Sequence, residues 1–294
     1  MAELERIGRR IETATDLQSV VRTMKTLSAV GITQYEEAAQ AISNYAETVE
    51  RGLQVALRAA PGVAAAPGGA DGATALVVVG SDFGLCGTFN EELVREARAR
   101  FGAGGLEGEG LRILVAGQRL EQYWRAEVGP PDATMALPSS LGRLGRAAGD
   151  VLRLLDRWQE EAGVVRILLL HQAGDGEGGR DRRLVRVAPV TAADLAEIAA
   201  RPWPTRALPM AESAPGPLFR ALVRQRIFTR IYAAAALSRA AEHAARLAAM
   251  RAAESNISEK LGELRAAYRH RRQETITREL LDVVAGFEAA RGAD

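Results

Sequence analysis

Proline is missing from residues 1–60 and again from 218–294; all eleven prolines lie between Pro61 and Pro217. Glycine is thin in the same two flanks, where only Gly8, Gly31, Gly52, Gly262, Gly286 and Gly292 occur. Proline removes a helix donor and clashes with the preceding turn, and glycine weakens helices through backbone entropy. Their scarcity leaves two long stretches free to be helical, on either side of a punctuated middle. Cysteine is nearly absent: Cys86 stands alone, which excludes an internal disulfide framework and fits a reducing compartment. Neither sign of charge is in excess, with 38 Lys and Arg against 37 Asp and Glu, so composition points neither to nucleic acid nor to an anionic membrane. Long apolar runs are lacking too. Ala75–Val79 and Ile167–Leu170 fall far short of the roughly 20 residues of a membrane span. The opening segment, Met1 to Arg6, has no apolar core and does not read as a signal peptide. The chain is expected to be soluble, with any membrane association made through a partner.

What is present in the flanks is a seven-residue repeat. One seam on the N-terminal side runs Ile7, Ala14, Val21, Ser28, Tyr35, Ile42, Val49; a second, three residues on, runs Leu17, Met24, Gly31, Ala38, Tyr45. This is the pattern of a left-handed coiled coil. Gly31 and Ser28 share a level of the seam, where two backbones could approach closely. On the C-terminal side Ile257, Leu261, Leu264 and Tyr268 are spaced 4-3-4, as are Ile276, Leu280, Val283 and Phe287. The basic run Arg269-His270-Arg271-Arg272 interrupts the stripe; it reads either as a solvated face or as a contact with acidic groups of another subunit. At about 1.5 Å per residue the C-terminal helix could reach on the order of 100 Å. It needs a partner along its length, and the N-terminal helix, paired antiparallel, is the simplest one. The stripes are narrow, so most of the pair's circumference stays polar, which suits a rod that turns within other proteins.

The middle alternates strand and helix. Ala75–Val79, Leu111–Ala116 and Val164–Leu170 read as buried strands, and Glu91–Phe101, Leu120–Ala126 and Leu141–Ala162 as helices. Leu184–Val190 reads as an edge strand, because Pro189 cannot donate to a ladder. Pro61–Gly72, Gly102–Gly110 and Gly174–Gly179 read as loops. The expected fold is α/β with long helices: an antiparallel two-helix coiled coil from the two termini plus a central Rossmann-like α/β domain. The expected segments are an N-terminal coiled-coil helix over 1–60, the α/β domain over 73–205, and a C-terminal helix over 213–290 pairing with 1–60.

No catalytic constellation emerges. Gly80-Ser81-Asp82-Phe83-Gly84-Leu85-Cys86-Gly87 follows a strand and precedes a helix, but it lacks the Lys-Ser/Thr of a P-loop and does not match the dinucleotide fingerprint. It reads as a tight turn. Cys86 has no neighbouring His or second Cys and reads as a structural thiol. His171 reads as a packing residue at a strand end. His243 and His270 lie too far apart on one helix to share a metal. Asp175, Glu177, Asp181 and Asp194 show no pairing. The expectation is a mechanical part, with no cofactor and no metal.

Three stretches carry a family resemblance. Arg6–Leu27 is similar to an opening helix of the type I-x-x-I…I-T-x-A-M-x-M, and Asn44–Thr48 continues it. Gly80–Asn90 is similar to S-D-R-G-L-C-G-G-L-N. Ala241–Met250 is close to S-E-H-A-A-R-M-M-A-M, and Arg272–Glu279 with Asp282–Gly286 is close to R-Q-A-x-I-T-x-E…E-I-V-x-G. In that order, over nearly the whole chain, they resemble the γ subunit of bacterial F-type ATP synthases. The positions that match the family motifs include Gly84, Cys86, Gly87, Glu242, His243 and Gly286.

The resemblance implies a central-stalk rotor. The terminal helices would stand inside the α3β3 hexamer of alpha and beta subunits. The middle domain would form the foot on the membrane c-ring with the epsilon subunit, at the cytoplasmic face of the bacterial membrane. The catalytic sites would belong mainly to beta, so this chain would be non-catalytic. Met24 matches the methionine near the acidic lever segment of beta, with Arg22 and Lys25 in a basic belt beside it. Arg272, Gln273 and Thr277 match positions that hydrogen-bond a beta catch loop. A non-rotary coiled-coil scaffold carrying an α/β module is the alternative; it would form a symmetric homodimer. The chain departs from the pattern at Phe83 (usually Arg), Thr88 (usually Gly) and Asp16 (commonly Asn), and Ser28–Glu37 lacks the usual basic run. These departures bear on the foot contacts and suggest a divergent branch, of which the alternative bacterial F-type enzymes are one.

Overall fold

A computed structural model of the chain describes residues 2–59, 72–106, 108, 110–174, 180–207, 209 and 213–291. Two helices dominate, α1 (Ala2–Ala59) and α7 (Pro215–Arg291). Pro215 and Pro217 sit in the first turn of α7, where a missing N–H costs nothing. The chain groups into two compact units, residues 1–28 with 246–294, and residues 29–245.

In the first unit α1 and α7 run antiparallel. Glu3 meets Arg271 at 3.6 Å, Gly8 faces Tyr268, Gln18 donates to Ser258 at 2.9 Å, and Arg22 and Lys25 meet Glu254. The second unit pairs the two helices in the same sense: Gly31 and Tyr35 face His243, Glu50 meets Arg226 at 3.5 Å, and Gly52 faces Leu222.

The first heptad seam is the covered one: Val21, Ser28, Tyr35 and Val49 are buried, and Ile7, Ala14 and Ile42 are partly so. The second seam differs from expectation. Met24, Gly31 and Ala38 are covered as expected, but Leu17 and Tyr45 are 53% and 45% exposed, and the adjacent Gln18, Lys25, Ile32, Ala39, Ala46 and Leu53 are covered as well. Gln18 and Lys25 bury their stems while their polar ends bond Ser258 and Glu254, so a polar residue occupies an inner position that hydropathy assigns to its neighbour. On α7, Ile257, Leu261, Leu264 and Tyr268 are covered as expected, whereas Ile276, Leu280 and Val283 are 52%, 61% and 73% exposed. They lie beyond Arg271, which faces Glu3 near the described start of α1.

The sheet lies in the second unit. Its strands are β1 (Ala73–Val79), β2 (Leu111–Ala116), β3 (Ala133–Met135), β4 (Val164–Gly174) and β5 (Arg180–Ala188), in the order β3-β2-β1-β4-β5. The pairs among β1 to β4 are parallel, and β5 is antiparallel to β4 at an edge. Being central, β1 is covered on both faces, which accounts for its unbroken apolar run. Ala75, Val77 and Val79 pack with α5 (Leu144–Ala162), whose Leu144, Ala148, Val151, Leu152, Leu155 and Trp158 form one face. Leu76 and Val78 pack on the other side with α2 (Phe89–Phe101) and α4 (Gln118–Glu127).

Several local expectations need correction. Residues 141–143 form a 3-10 turn before α5, and β4 continues to Gly174, so His171 lies within the strand rather than at its end. A four-residue helical turn, α3 (Ala103–Leu106), sits in the expected 102–110 loop. The expected loops 61–72 and 174–179 fall almost wholly outside the described residues. Neither β3 nor α6 (Ala192–Ala200) was anticipated; both are too short to show a period.

Helix α6 is set by a reciprocal cap: the Thr191 hydroxyl accepts from Asp194 N–H, and the Asp194 carboxylate accepts from Thr191 N–H at 2.8 Å. Thr191→Ala is expected to cost about 1 kcal/mol in urea unfolding. Burial alone would raise the Asp194 pKa, but the two Thr191 hydrogen bonds and Arg186 outweigh it and hold the carboxyl below its ordinary value. Its contribution is therefore present above the ordinary carboxylate range and is lost as pH falls through the depressed value. An Asp194→Asn chain should show a shallower loss of stability below about pH 4 than the parent.

Candidate functional site

Strands β1 to β3 are laid to one side and β4 to the other, so the order reverses between β1 and β4. In open α/β sheets a ligand crevice lies at the carboxyl ends of the strands at such a reversal. Here that place is filled. The Ser238 hydroxyl of α7 donates to the Val79 carbonyl, at the end of β1, at 2.8 Å, and Ser238 is fully buried. On one side of Ser238, Ile231 and Ala234 belong to the core beneath α5; on the other, Ala241 and Ala245 belong to the core beneath α2 and α4. Helix α7 thus saddles the carboxyl edge of the sheet and touches both of its cores. Small alanines permit the close approach.

The loop after β1 is braced from within. Asn90 Oδ1 accepts from Ser81 N–H at 3.0 Å, Asn90 Nδ2 donates to Ser81 Oγ, and Ser81 Oγ donates to the Phe83 carbonyl. The Asp82 carboxylate accepts from the N–H groups of Gln118 and Leu137, tying the loop to the start of α4. These bonds brace the segment as a turn between β1 and α2. Gly87 takes φ 60°, and Leu85, at φ 62°, is a non-glycine residue in the left-handed region. Cys86 is buried, and Phe83 and Leu85 stand 62% and 59% exposed.

Arg239 and His243 turn toward Tyr35 of α1 in a largely buried polar layer, and Glu242, one turn on from Ser238, is fully buried beside them. The Arg239 guanidinium donates to Glu242 at 2.6 Å and sits 5.5 Å from the Tyr35 ring centroid. The His243 imidazole stacks on that same ring at 5.6 Å. Burial by itself would pull the Arg239 pKa down, but Glu242 and Tyr35 hold it above the ordinary arginine value. Gly31 is the notch that admits the imidazole. The close approach expected at Gly31 is therefore made by a side chain rather than by a second backbone. Ser238, Arg239 and Tyr35's role in this layer were not visible in the sequence, because polar residues on a long helix read as solvated.

Among the positions matched to beta contacts, Arg22 is 64% exposed at its side chain while Lys25 is 30% exposed; both ion-pair with Glu254 of α7. Hydrogen bonds from Lys25 and then Arg22 hold the Glu254 carboxyl below the ordinary glutamate value. Met24 is half-buried beside them. Toward the other end of the first unit, Gln273 and Thr277 line one shallow depression of about 520 Å³ with His270, Glu274 and Arg278. Arg272 is exposed but does not line it. Arg271 is held by Glu274 and Glu3. Gly286 lies in α7.

His171 is buried in β4 with Nδ1 3.1 Å from the Gln172 carbonyl, and burial pushes its pKa down. Asp181 pairs with Arg183, and Asp194 caps α6, so both serve structure; Asp175 and Glu177 lie outside the described residues. Among the described residues no group of three or more His, Cys, Asp or Glu could hold a metal, and no helix is long and apolar enough to cross a membrane.

The family model described as ATP synthase matches residues 3–290. The ATP synthase gamma chain of Granulibacter bethesdensis is 30% identical over 302 residues, covering 98% of this chain and all of that one. The gamma chain of Fuscovulum blasticum is 29% identical with the same coverage. Among solved structures, a rotor chain of the Euglena gracilis mitochondrial ATP synthase superposes with a TM-score of 0.61 at 15% identity, over 94% of this chain and 99% of that one. A central stalk/c-ring chain of the Tetrahymena thermophila enzyme gives 0.59 at 18%, over 80% and 99%.

Proposed function

Since the chain belongs to the ATP synthase gamma-chain family, we propose that it is the central-stalk rotor of an F-type ATP synthase. It would couple rotation of a membrane c-ring to conformational cycling of the catalytic sites of an α3β3 hexamer, without carrying a catalytic site itself. The observation that carries this reading is the seating of α7. One continuous helix is fixed across the edge of the sheet at Ser238 and continues to Arg291. A turning force applied to the α/β unit would then act on the helix directly. The partners under this reading are the alpha and beta subunits around the helices, and the epsilon subunit and c-ring at the foot. The chain would sit peripherally at the cytoplasmic face of the bacterial plasma membrane.

Arg22 and Met24 are the positions of the α1 belt best placed to meet beta, since Lys25 is more fully engaged with Glu254. Arg272, Gln273 and Thr277 would take the beta catch loop. Arginine suits this role because its planar fork pairs carboxylates in two directions. Contacts that must break at each step are individually weak, as exposed ion pairs are. Replacing Arg272 and Gln273 together with Ala is expected to weaken capture of the chain by α3β3 by roughly tenfold, about 1.4 kcal/mol. Hydrolysis by the assembled complex should fall with it. Unchanged capture and unchanged hydrolysis would remove the catch assignment and leave the fold untouched.

A further inference from the structure

We propose that Ser238, Arg239 and Tyr35 form a torsional joint, the place where a turning force on the sheet enters α7 and is shared with α1. This rests on the rotor reading above and specifies where in the chain the load passes. Three observations within residues 29–245 carry it.

The first is the buried anchor on the sheet side. Ser238 bonds the carbonyl that ends β1, the central strand, and packs apolar alanines into the cores on both faces. Apolar contacts resist separation but allow sliding, because they have no direction. A hydrogen bond between two fully buried groups has direction, and breaking it strands both partners away from water. The second is the anchor on the α1 side, one residue along and so on a different face of α7. Arg239 is held by Glu242 and lies over the Tyr35 ring, while His243 stacks on that ring from the next turn. Two groups from successive turns of α7 engage a single aromatic plate of α1, so α7 cannot rotate about its axis without losing both. The third is burial. Elsewhere in this unit α7 is tied by Arg224 to Asp156 and by Arg230 to the Arg186 carbonyl, both exposed contacts, and by Arg226 to Glu50 at 3.5 Å. The Ser238 bond and the Arg239–Glu242 pair are instead fully enclosed, among Ala235, Ala236, Ala240, Ala39 and Leu144. Buried polar groups cost stability unless paired, so this layer is the one where loss of geometry is most costly.

The test uses the full chain assembled with α3β3, with a bead on Ser139→Cys, an exposed position. With hydrolysis stalled by Mg-ADP, the angular variance of the bead reports torsional stiffness. With one of the two anchors gone, Ser238→Ala and Tyr35→Leu are each expected to raise that variance by about twofold. Unloaded hydrolysis should stay at the parent rate. Tyr35→Phe keeps the ring but removes the hydroxyl that bonds Arg239, so its variance should lie between those of the parent and Tyr35→Leu. Unchanged variance in both Ser238→Ala and Tyr35→Leu, in complexes that assemble and hydrolyse normally, overturns the joint. A parent chain that assembles but never rotates overturns the rotor reading instead. A second readout needs no assembly: in the isolated full chain, amide exchange over Ala234–Glu242 should be about tenfold faster in Ser238→Ala. Exchange at the parent rate would also count against the joint.

Discussion

Replacing Gly117 with Ala is expected to destabilise the α/β unit by about 3 kcal/mol or more, enough to unfold a marginal domain. Gly117 joins β2 to α4 at φ 122° and ψ 118°, a conformation that L side chains rarely adopt. A Cβ there would lie 2.7 Å from the Ser81 carbonyl oxygen and 2.8 Å from the Ser81 nitrogen. Both are backbone atoms, and neither can step aside: the Ser81 N–H is bonded to Asn90, and its carbonyl accepts from Arg119 and Leu120. Strain and clash therefore add. Gly87 provides the contrast. Its φ of 60° is also positive, but a Cβ there would meet nothing within 4 Å, so Gly87→Ala should cost about 1 kcal/mol, the conformational term alone. Urea unfolding followed by the fluorescence of buried Trp124 and Trp158 would measure both. Equal costs at the two positions would mean that the contact with Ser81 does not constrain the turn.

The second large effect is a reversal of sign at Gly31. In an exposed helix interior, Gly→Ala gains up to about 1 kcal/mol. At Gly31 the added Cβ would lie 2.7–2.8 Å from three ring atoms of His243, including the one nearest its backbone. The ring is stacked on Tyr35, so it cannot swing clear without giving up that contact. Gly31→Ala is expected to cost about 1–3 kcal/mol, the usual range for overpacking. In a His243→Ala background the same change should turn favourable, so the double-mutant cycle should show a coupling of the same order. Gly8 is the internal control. A Cβ there would sit 3.9 Å from Tyr268, an ordinary contact, and Gly8→Ala should stabilise. If Gly31→Ala stabilises in the parent chain, the notch described for His243 is wrong.

The long-range plan of the fold was legible in the sequence because it rests on periodic signals many residues long. The absence of proline marked both helices, and unbroken apolar runs marked β1, β2 and β4. The misreadings have local causes. The second seam held at Met24, Gly31 and Ala38 but missed its neighbours, because Gln18 and Lys25 hide their stems and show their polarity, so hydropathy favoured Leu17 over Gln18. The exposed Ile276, Leu280 and Val283 read as one more stretch of seam, since a stripe does not reveal whether a partner covers it. β3 and α6 are shorter than the window in which a period can be seen. The joint was invisible for a different reason. Ser238 and Arg239 are ordinary helix residues until a strand end and an aromatic ring from distant parts of the chain are brought against them. Family resemblance pointed to Glu242 and His243 but gave no reason for them; packing against Tyr35 and Gly31 supplies it.

The most direct measurement is single-molecule rotation. The chain, carrying Ser139→Cys as the bead site because Cys86 is buried, would be assembled with its alpha and beta subunits and supplied with Mg-ATP. Stepwise rotation in one direction, locked to hydrolysis, is the result expected of a central-stalk rotor. A chain that elutes alone or as a homodimer beside active alpha and beta subunits would contradict it and favour the scaffold.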